Sequence, residues 1–478
     1  MTAFLDAPPA RRLAWPIVAL LIVTALQRPA RAHVGSPDVF LEGLAGPYRL
    51  LVTVRPPQVI PGIADVEVLA TSDDVREVRI VPLPLAGDGA KFAPVPDLAV
   101  RSDEAPRLFT GHLWLMGAGA WQVRVTVKGD RGEGMLSVPV PTLPQSTLGM
   151  GRALRGLLAF LMLLLAAGFV GIVSAMAREA KLGAGEELDR RSRIRGRIAG
   201  AIAAVVIGGV IYLGNMWWTV EATAYDRYVY KPLVGRPMIQ DQTLTLVLTD
   251  PGWIGSRRLD DFVNDHGHPM HLFIVSPALD RLWHLHPSER GKSAFTQRLP
   301  AMPDGSYQVF ADLVHATGVP ETVIGQIKTN DLQTFALPLS DDDSGWSADQ
   351  PSTTTRISWL RDNTPLVPKR LTMFTFQVDD ENGQPAKDLE LYMGMPGHAV
   401  FVRTDLKVFA HVHPSGSAPM VTIEMAMPEN ERHAGHLTSP PSTVTFPYGF
   451  PEPGQYRIFV QVKRAGAIVT GAFDADVK

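Results

Sequence analysis

The sequence has no cysteine among its 478 residues. That excludes disulfides and any thiolate metal site, including the blue-copper type that needs a Cys ligand. A bound metal would have to use His, Met, carboxylate or backbone oxygen. An excess of one charge is also missing: 45 Lys and Arg against 48 Asp and Glu leave a formal net charge of −3. No basic block interleaved with aromatics occurs, which argues against a nucleic-acid partner. No nucleophile elbow, phosphate loop or paired-carboxylate motif stands out, so the motifs name no enzyme class and point away from an enzyme.

What is present is turn chemistry, apolar runs and a repeated His pattern. The 40 Pro and 42 Gly are spread along the chain, as in all-β domains. The length implies about three domains. Residues 1–32 read as a signal peptide: Arg11 and Arg12, an apolar stretch from Leu13 to Leu26, and Ala30-Arg31-Ala32 as the cleavage site. Cleavage after Ala32 would leave His33 at the mature N-terminus, where an α-amino group beside its own imidazole makes a bidentate copper chelate. His112 and Asp38 are candidates to complete that site.

Two apolar runs, 156–177 and 198–218, each exceed the ~18–20 residues that span a bilayer. Tyr212, Trp217 and Trp218 supply an aromatic belt at the end of the second. The segment between them, 178–197, carries Arg178, Lys181, Arg190, Arg191, Arg193, Arg195 and Arg197. The positive-inside rule makes it cytoplasmic and sets both flanks outside. The expected location is the bacterial inner membrane with soluble domains in the periplasm. Charge-free helix interiors suit an anchor and not an ion path; Met162 and Met176 read as packing material.

Outside the membrane the pattern has period two. Tyr48 to Val54, Asp65 to Val68, Val75 to Ile80 and Trp121 to Val127 alternate apolar and polar residues between Gly/Pro clusters. Similar runs open at Leu244 and Met373. A polar stretch, 336–356, separates 219–335 from 357–478. Three segments share a phrase of Gly followed two residues later by an aromatic: Gly119-Ala120-Trp121, Gly305-Ser306-Tyr307 and Gly454-Gln455-Tyr456. The expected fold is mostly β, with three immunoglobulin- or cupredoxin-like antiparallel sandwiches (33–147, 219–335, 357–478) plus a two-helix transmembrane hairpin.

At an offset of 127 residues the chain repeats itself without a gap. His266-Gly267-His268-Pro269-Met270-His271 aligns with Met393-Gly394-Met395-Pro396-Gly397-His398, and His284-Leu285-His286-Pro287 aligns with His411-Val412-His413-Pro414. A turn over Pro277 to Asp280 would set His271 opposite His286, or opposite His284 with a small shift. Residues two apart share a face, so one hairpin face gathers three imidazoles. Imidazole suits Cu(II), Zn and Ni, whereas thioether selects Cu(I). His-to-Met exchange at 266/393 and 268/395 therefore points to copper ahead of zinc. The metal candidates are His271, His284, His286, His398, His411 and His413, with Met393, Met395, His266 and His268 approaching from the preceding loops, and His33 apart. The competing reading makes each His-x-His-Pro corner structural. His315 has no counterpart in the repeat, and His433 and His436 lie in a Pro-rich loop.

The phrase from His398 to Pro414 resembles the YtkA-like and FixH-like sandwich domains of bacterial envelope proteins. The resemblance is clearest over 365–478, fair over 240–330 and loose over 33–147. It implies a link to copper or heavy-metal efflux and resistance. A mature N-terminal His is similar to the copper-resistance protein C family, which implies a role for His33. The layout of sandwich, two-helix hairpin and sandwich resembles the B subunit of particulate methane monooxygenase, in architecture only. The expected function is a membrane-anchored copper-binding protein that buffers or delivers Cu(I) or Cu(II). A copper transporter, efflux system or oxidase-assembly component would be its partner. The alternative is a scaffold or assembly factor for an inner-membrane complex. Histidine ligation would make affinity fall below about pH 6.

Overall fold

A computed structural model describes residues 33–34, 38–87, 92–183, 185–253, 257–330, 332, 342–362, 364–428 and 440–478. The expected signal peptide, 1–32, and the residues His433 and His436 lie outside these. The chain is mostly β, built of antiparallel sheets that pair into sandwiches, with three helices among the described residues.

The first sandwich faces a five-stranded sheet, which runs from Val39–Ala45 through Tyr48–Arg55, Gly62–Ala70 and Leu108–Leu115 to Val100–Arg101, against a four-stranded one centred on Gly119–Gly129. The expected alternation is visible in burial. Leu50, Val52 and Val54 point inward with Val66 and Val68 to form the core. The second and third sandwiches each hold a six-stranded sheet. The second has His271–Val275 between Gly305–His315 and Arg281–Leu285; the third has His398–Arg403 between Gly454–Arg464 and Val408–Val412. The shared Gly-x-aromatic phrase begins an 11-residue strand in all three. In each, the aromatic ties the strand to the turn before it: Trp121 Nε1 donates to the Gly117 carbonyl, Tyr307 Oη to Pro303 and Tyr456 Oη to Glu452.

Two expected boundaries shift. Residues 344–347 are not linker: Ser344–Ser347 pairs with Arg281–Leu285 as an edge strand of the second sandwich. His33–Val34 does not start the first sandwich but lies parallel to Val408–Val412 of the third. The helices run longer than the apolar runs, Arg152–Glu179 and Arg190–Asp226, because charged flanks continue the helical hydrogen bonding. Both are long and apolar enough to cross a membrane. They cross where residues are small: Ser174 Oγ donates to the Gly196 carbonyl at 2.9 Å, and a Cβ on Gly200 would lie 3.3 Å from the Ser174 side chain.

The six-stranded sheets of the second and third sandwiches stack face to face. Phe273, Val275, Leu279, Leu282 and Phe310 meet Val400, Val402, Phe409 and Phe459, with Phe310 stacked on Phe409 at 4.3 Å. Both faces of these strands are thus buried, one in its own sandwich and one in this contact. Fully burying a large apolar side chain is worth roughly 1.5–3 kcal/mol, so this contact contributes to holding the two sheets together. The first sandwich braces the pair: Glu42 N donates to the Ser415 carbonyl at 2.7 Å, Ser417 N donates to Phe40 at 2.9 Å, and Ile423 of the helix Met420–Ala426 packs into the first core.

Candidate metal centre

Each repeat opens with a tight turn. Asp265 pairs with His268 and Tyr392 with Met395, and the two central residues have positive φ in both: 52° and 85° at His266 and Gly267, 51° and 80° at Met393 and Gly394. That is a type I′ turn, which glycine at the second position makes accessible. The following hairpin turns at Leu279 and Leu406, both also at positive φ. Its register pairs Leu272 with Leu285 and Phe273 with His284, and in the other repeat Ala399 with Val412 and Val400 with His411. One further step sets His271 opposite His286 and His398 opposite His413, the first of the two registers the sequence left open. Alternation sends Leu272, Ile274, Trp283 and Leu285 into the sandwich core and the histidines to the contact between sandwiches.

The two sets of imidazoles are therefore not separate. His266, His268, His271, His284 and His286 from the second sandwich meet His398, His411 and His413 from the third. Rings of the two sets are 5.3 Å apart at His271 and His411, 5.7 Å at His284 and His411, and 4.8 Å at His266 and His413. Two trios each bring one ring nitrogen per residue within 4.8 Å of the others: His271, His284 and His286, and across the contact His266, His398 and His413. His411 joins the latter, its Nε2 being 3.1 Å from His398 Nδ1. His266 also reaches its own repeat counterpart, donating from Nδ1 to the Met393 carbonyl at 2.9 Å. Contact between equivalent positions marks a pseudo-twofold axis, as in a homodimer interface.

The outer nitrogens decide what the inner ones are. His271 Nε2 faces the Asp265 carbonyl at 3.0 Å and His398 Nε2 faces Tyr392 at 3.2 Å. His413 Nδ1 faces Ala418 at 3.4 Å, and His286 Nδ1 faces Asp343 Oδ1 at 3.0 Å. Carbonyls and carboxylates only accept, so each of these ring nitrogens carries the proton. His284 Nδ1 faces Gln461 Oε1 at 2.9 Å and the Tyr392 hydroxyl, which spends its own proton on the Asp342 carbonyl. That leaves bare lone pairs on His271 Nδ1 and His284 Nε2, 3.2 Å apart, and on His266 Nε2 and His413 Nε2, 3.2 Å apart, while the bare His398 Nδ1 lies 3.1 Å from His411 Nε2. His286 Nε2 is buried with no hydrogen-bond partner. Paired lone pairs repel unless a cation lies between them. Their spacing is close to the ~3.3 Å edge of a tetrahedron with metal–nitrogen bonds of ~2.0 Å.

Protons do not fill that role. Burial holds the pKa of His271, His284, His398, His411 and His413 well below the ordinary histidine value, and that of His286 below it; charge on neighbouring imidazoles lowers them further. Across the contact, each central imidazole is faced by the opposite sandwich: Gln461 holds His284, and Asp312 lies 3.6 Å from His411 Nδ1. Burial raises the Asp312 carboxyl to about 7.

Other candidates fall elsewhere. Met395 is buried and Met393 half-buried on the turn whose carbonyls serve His266 and His398. His268 stacks on His286 at 4.0 Å and bonds Asp342 at 3.1 Å. The His33 backbone lies beside Val408, at the end of that strand remote from His411. His112 and Asp38 do not form a site: Arg55 and Asp65 stand between them in the sheet, so they are roughly 14 Å apart at ~4.8 Å per strand. His112 bonds Asp65 at 2.8 Å, and Asp38 is 3.6 Å from Arg55. His315 belongs to a buried ion network with Asp261, Glu321 and Arg257. Sequence reasoning missed Asp342, Asp343, Asp312, Gln461 and Tyr392. The acidic run at 341–343, read as linker, was the one signal available.

Comparison with known proteins adds little about chemistry. A domain of unknown function, DUF8832, matches residues 353–478, the third sandwich. No curated protein matches. Among solved structures, a tetra-tandem repeat of a large adhesion protein overlaps at 9% identity, covering 88% of this chain and 72% of that one, with a TM-score of 0.16. Salmonella alpha-2-macroglobulin reacted with methylamine overlaps at 9% identity over 94% of this chain and 24% of its own, with a TM-score of 0.20. Scores this low bear on neither arrangement nor function.

Proposed function

We propose that the chain is a membrane-anchored copper-binding protein, and that its second and third sandwiches hold copper between them for buffering or transfer. The observation that carries this reading is the convergence of unprotonated imidazole nitrogens with their outer nitrogens tied to acceptors, the arrangement that orients metal-ligating histidines. Were the corners structural, each nitrogen would have its own partner. Instead His286 Nε2 has no partner, and the bare nitrogens of His271 and His284, and of His266 and His413, face one another, an arrangement that a cation would stabilise. Imidazole alone suits copper, zinc or nickel; the His-to-Met exchange on the two equivalent turns favours copper, with Met393 and Met395 offering thioether to Cu(I). The cationic segment between the apolar helices supports an inner-membrane anchor with the sandwiches on the periplasmic side. A copper transporter, efflux system or oxidase-assembly component fits as the exchange partner.

The test is a competition titration of the full chain in detergent with Cu(I), Cu(II) and Zn(II), beside a variant carrying His284→Ala, His286→Ala, His411→Ala and His413→Ala. Two tightly held copper ions, lost in a variant that still melts cooperatively, are expected. Wild-type protein that binds no ion above background would leave the scaffold reading in its place.

A further inference from the structure

A cavity of about 720 Å³ separates the first sandwich from the second and ends at the imidazole cluster. His268, His271, His411, His413, Asp265 and Asp312 form its floor. Its walls are largely proline and aliphatic: Pro57, Pro139, Pro232, Val314, Pro320 and Ile324. It reaches Gln145 and Tyr230, in the segments that lead into the membrane helices at Arg152 and out of them at Asp226. Those segments are fixed in place, since Tyr230 N donates to the Pro144 carbonyl at 2.8 Å and Gln145 N to Gln58 at 2.8 Å. Val234 and Ile324 line the same cavity while 43% and 40% exposed, so its wall is apolar where it meets the outside.

Size and lining match a small-molecule site, which typically has ~300–1,000 Å³ of mostly apolar wall and a few placed polar groups. Among the polar groups at the floor, the Asp312 carboxyl has room for a further partner. Asp312 Oδ1 is taken by the Thr322 hydroxyl at 2.5 Å, while Oδ2 has only His411 Nδ1 at 3.6 Å. An occupant would therefore bring a hydrogen-bond donor to that oxygen and apolar surface to the walls, and it would arrive from beside the bilayer.

We propose that this cavity binds a membrane-soluble small molecule with a hydroxyl head and an apolar body, the hydroxyl donating to Asp312 next to the imidazole cluster. The contacts proposed for the occupant are the cavity walls and Asp312, and none of them is a metal. The experiment uses metal-free full-length protein in lipid nanodiscs and a diazirine-bearing alkylphenol, with labelled peptides mapped by mass spectrometry. Label is expected within 139–145 and 313–324. Ile324→Trp, which fills the cavity from a half-exposed position, should cut that labelling by about tenfold, equivalent to losing about 1.4 kcal/mol, with an unchanged melting temperature. Asp312→Asn should lower it severalfold without moving the labelled positions. Label confined to the membrane helices, or unaffected by Ile324→Trp, overturns the proposal. Equal competition by the alkyl compound lacking the hydroxyl overturns the role of Asp312. Because no metal is present, failure here is separate from failure of copper binding.

Discussion

The second and third sandwiches offer one another the same hairpin with different fittings. Both carry the type I′ turn, the opposed histidine pair and the His-x-His-Pro strand end, with matching nitrogen spacings of 3.2 and 3.1 Å. Around that shared core the residues diverge. The second sandwich puts His266 and His268 on its turn, the third Met393 and Met395. Asp312 of the second faces the central His411, whereas Gln461 of the third faces the central His284. The repeat keeps what sets the imidazole geometry and varies the charge and softness around it. The two clusters are thus alike in shape and unlike in chemistry, and each is completed from the opposite sandwich.

The largest effect tests that shared core. His284→Ala should remove the ion at His271 and His286, His411→Ala the ion at His398 and His413, and the double variant both, read by competition titration. Retention of both ions by the double variant would break the equivalence of the two hairpins.

Acid comes next. Six histidines of the cluster have folded-state pKa values depressed by burial. Below the unfolded value of about 6.5, the unfolded chain takes up protons that the folded chain refuses, so stability falls with pH by up to about 1.4 kcal/mol per unit for each such histidine. Above that value they contribute no slope. The melting temperature of metal-free protein should drop steeply from pH 7 to pH 5, and a flat profile would contradict the buried, neutral cluster. While the fold persists, proton competition with metal follows the depressed folded-state values. Release then begins lower than the pH 6 expected for exposed imidazole.

Outer acceptors rank third. Gln461→Ala and Asp343→Asn each loosen one imidazole of the His271 trio and should weaken its ion by about 10–100-fold while sparing the other. The smallest effect concerns the fittings. Met393→His with Met395→His makes the turns alike and should lower the preference for Cu(I) over Zn(II) by about tenfold without changing the ion count.

How legible the molecule was depends on the range of the interactions. Strand alternation, the turn at Pro277 to Asp280 and the apolar helices are local, so period and composition revealed them. The in-register repeat revealed the histidines that share a hairpin face. The pairing of the two hairpins was not legible, because Phe273, Phe310, Phe409 and Phe459 read as ordinary strand residues until both sheet faces are seen to be buried. For the same reason nothing local marks Gln461 and Asp312, each of which faces a histidine of the other sandwich. Residues 341–343 looked like linker because acidic runs are usually solvated, yet Asp342 and Asp343 sit against His268 and His286. His112 and Asp38 were joined on residue type alone, and the sheet order separates them.

The most direct test of a shared centre is electron paramagnetic resonance of the full chain loaded with one and then two equivalents of Cu(II). Imidazole nitrogen couplings at the first equivalent, and a signal broadened by a neighbouring copper at the second, are the expected result. Copper with only oxygen ligands, or two equivalents that give the spectrum of isolated ions, would contradict a centre built jointly by the two sandwiches.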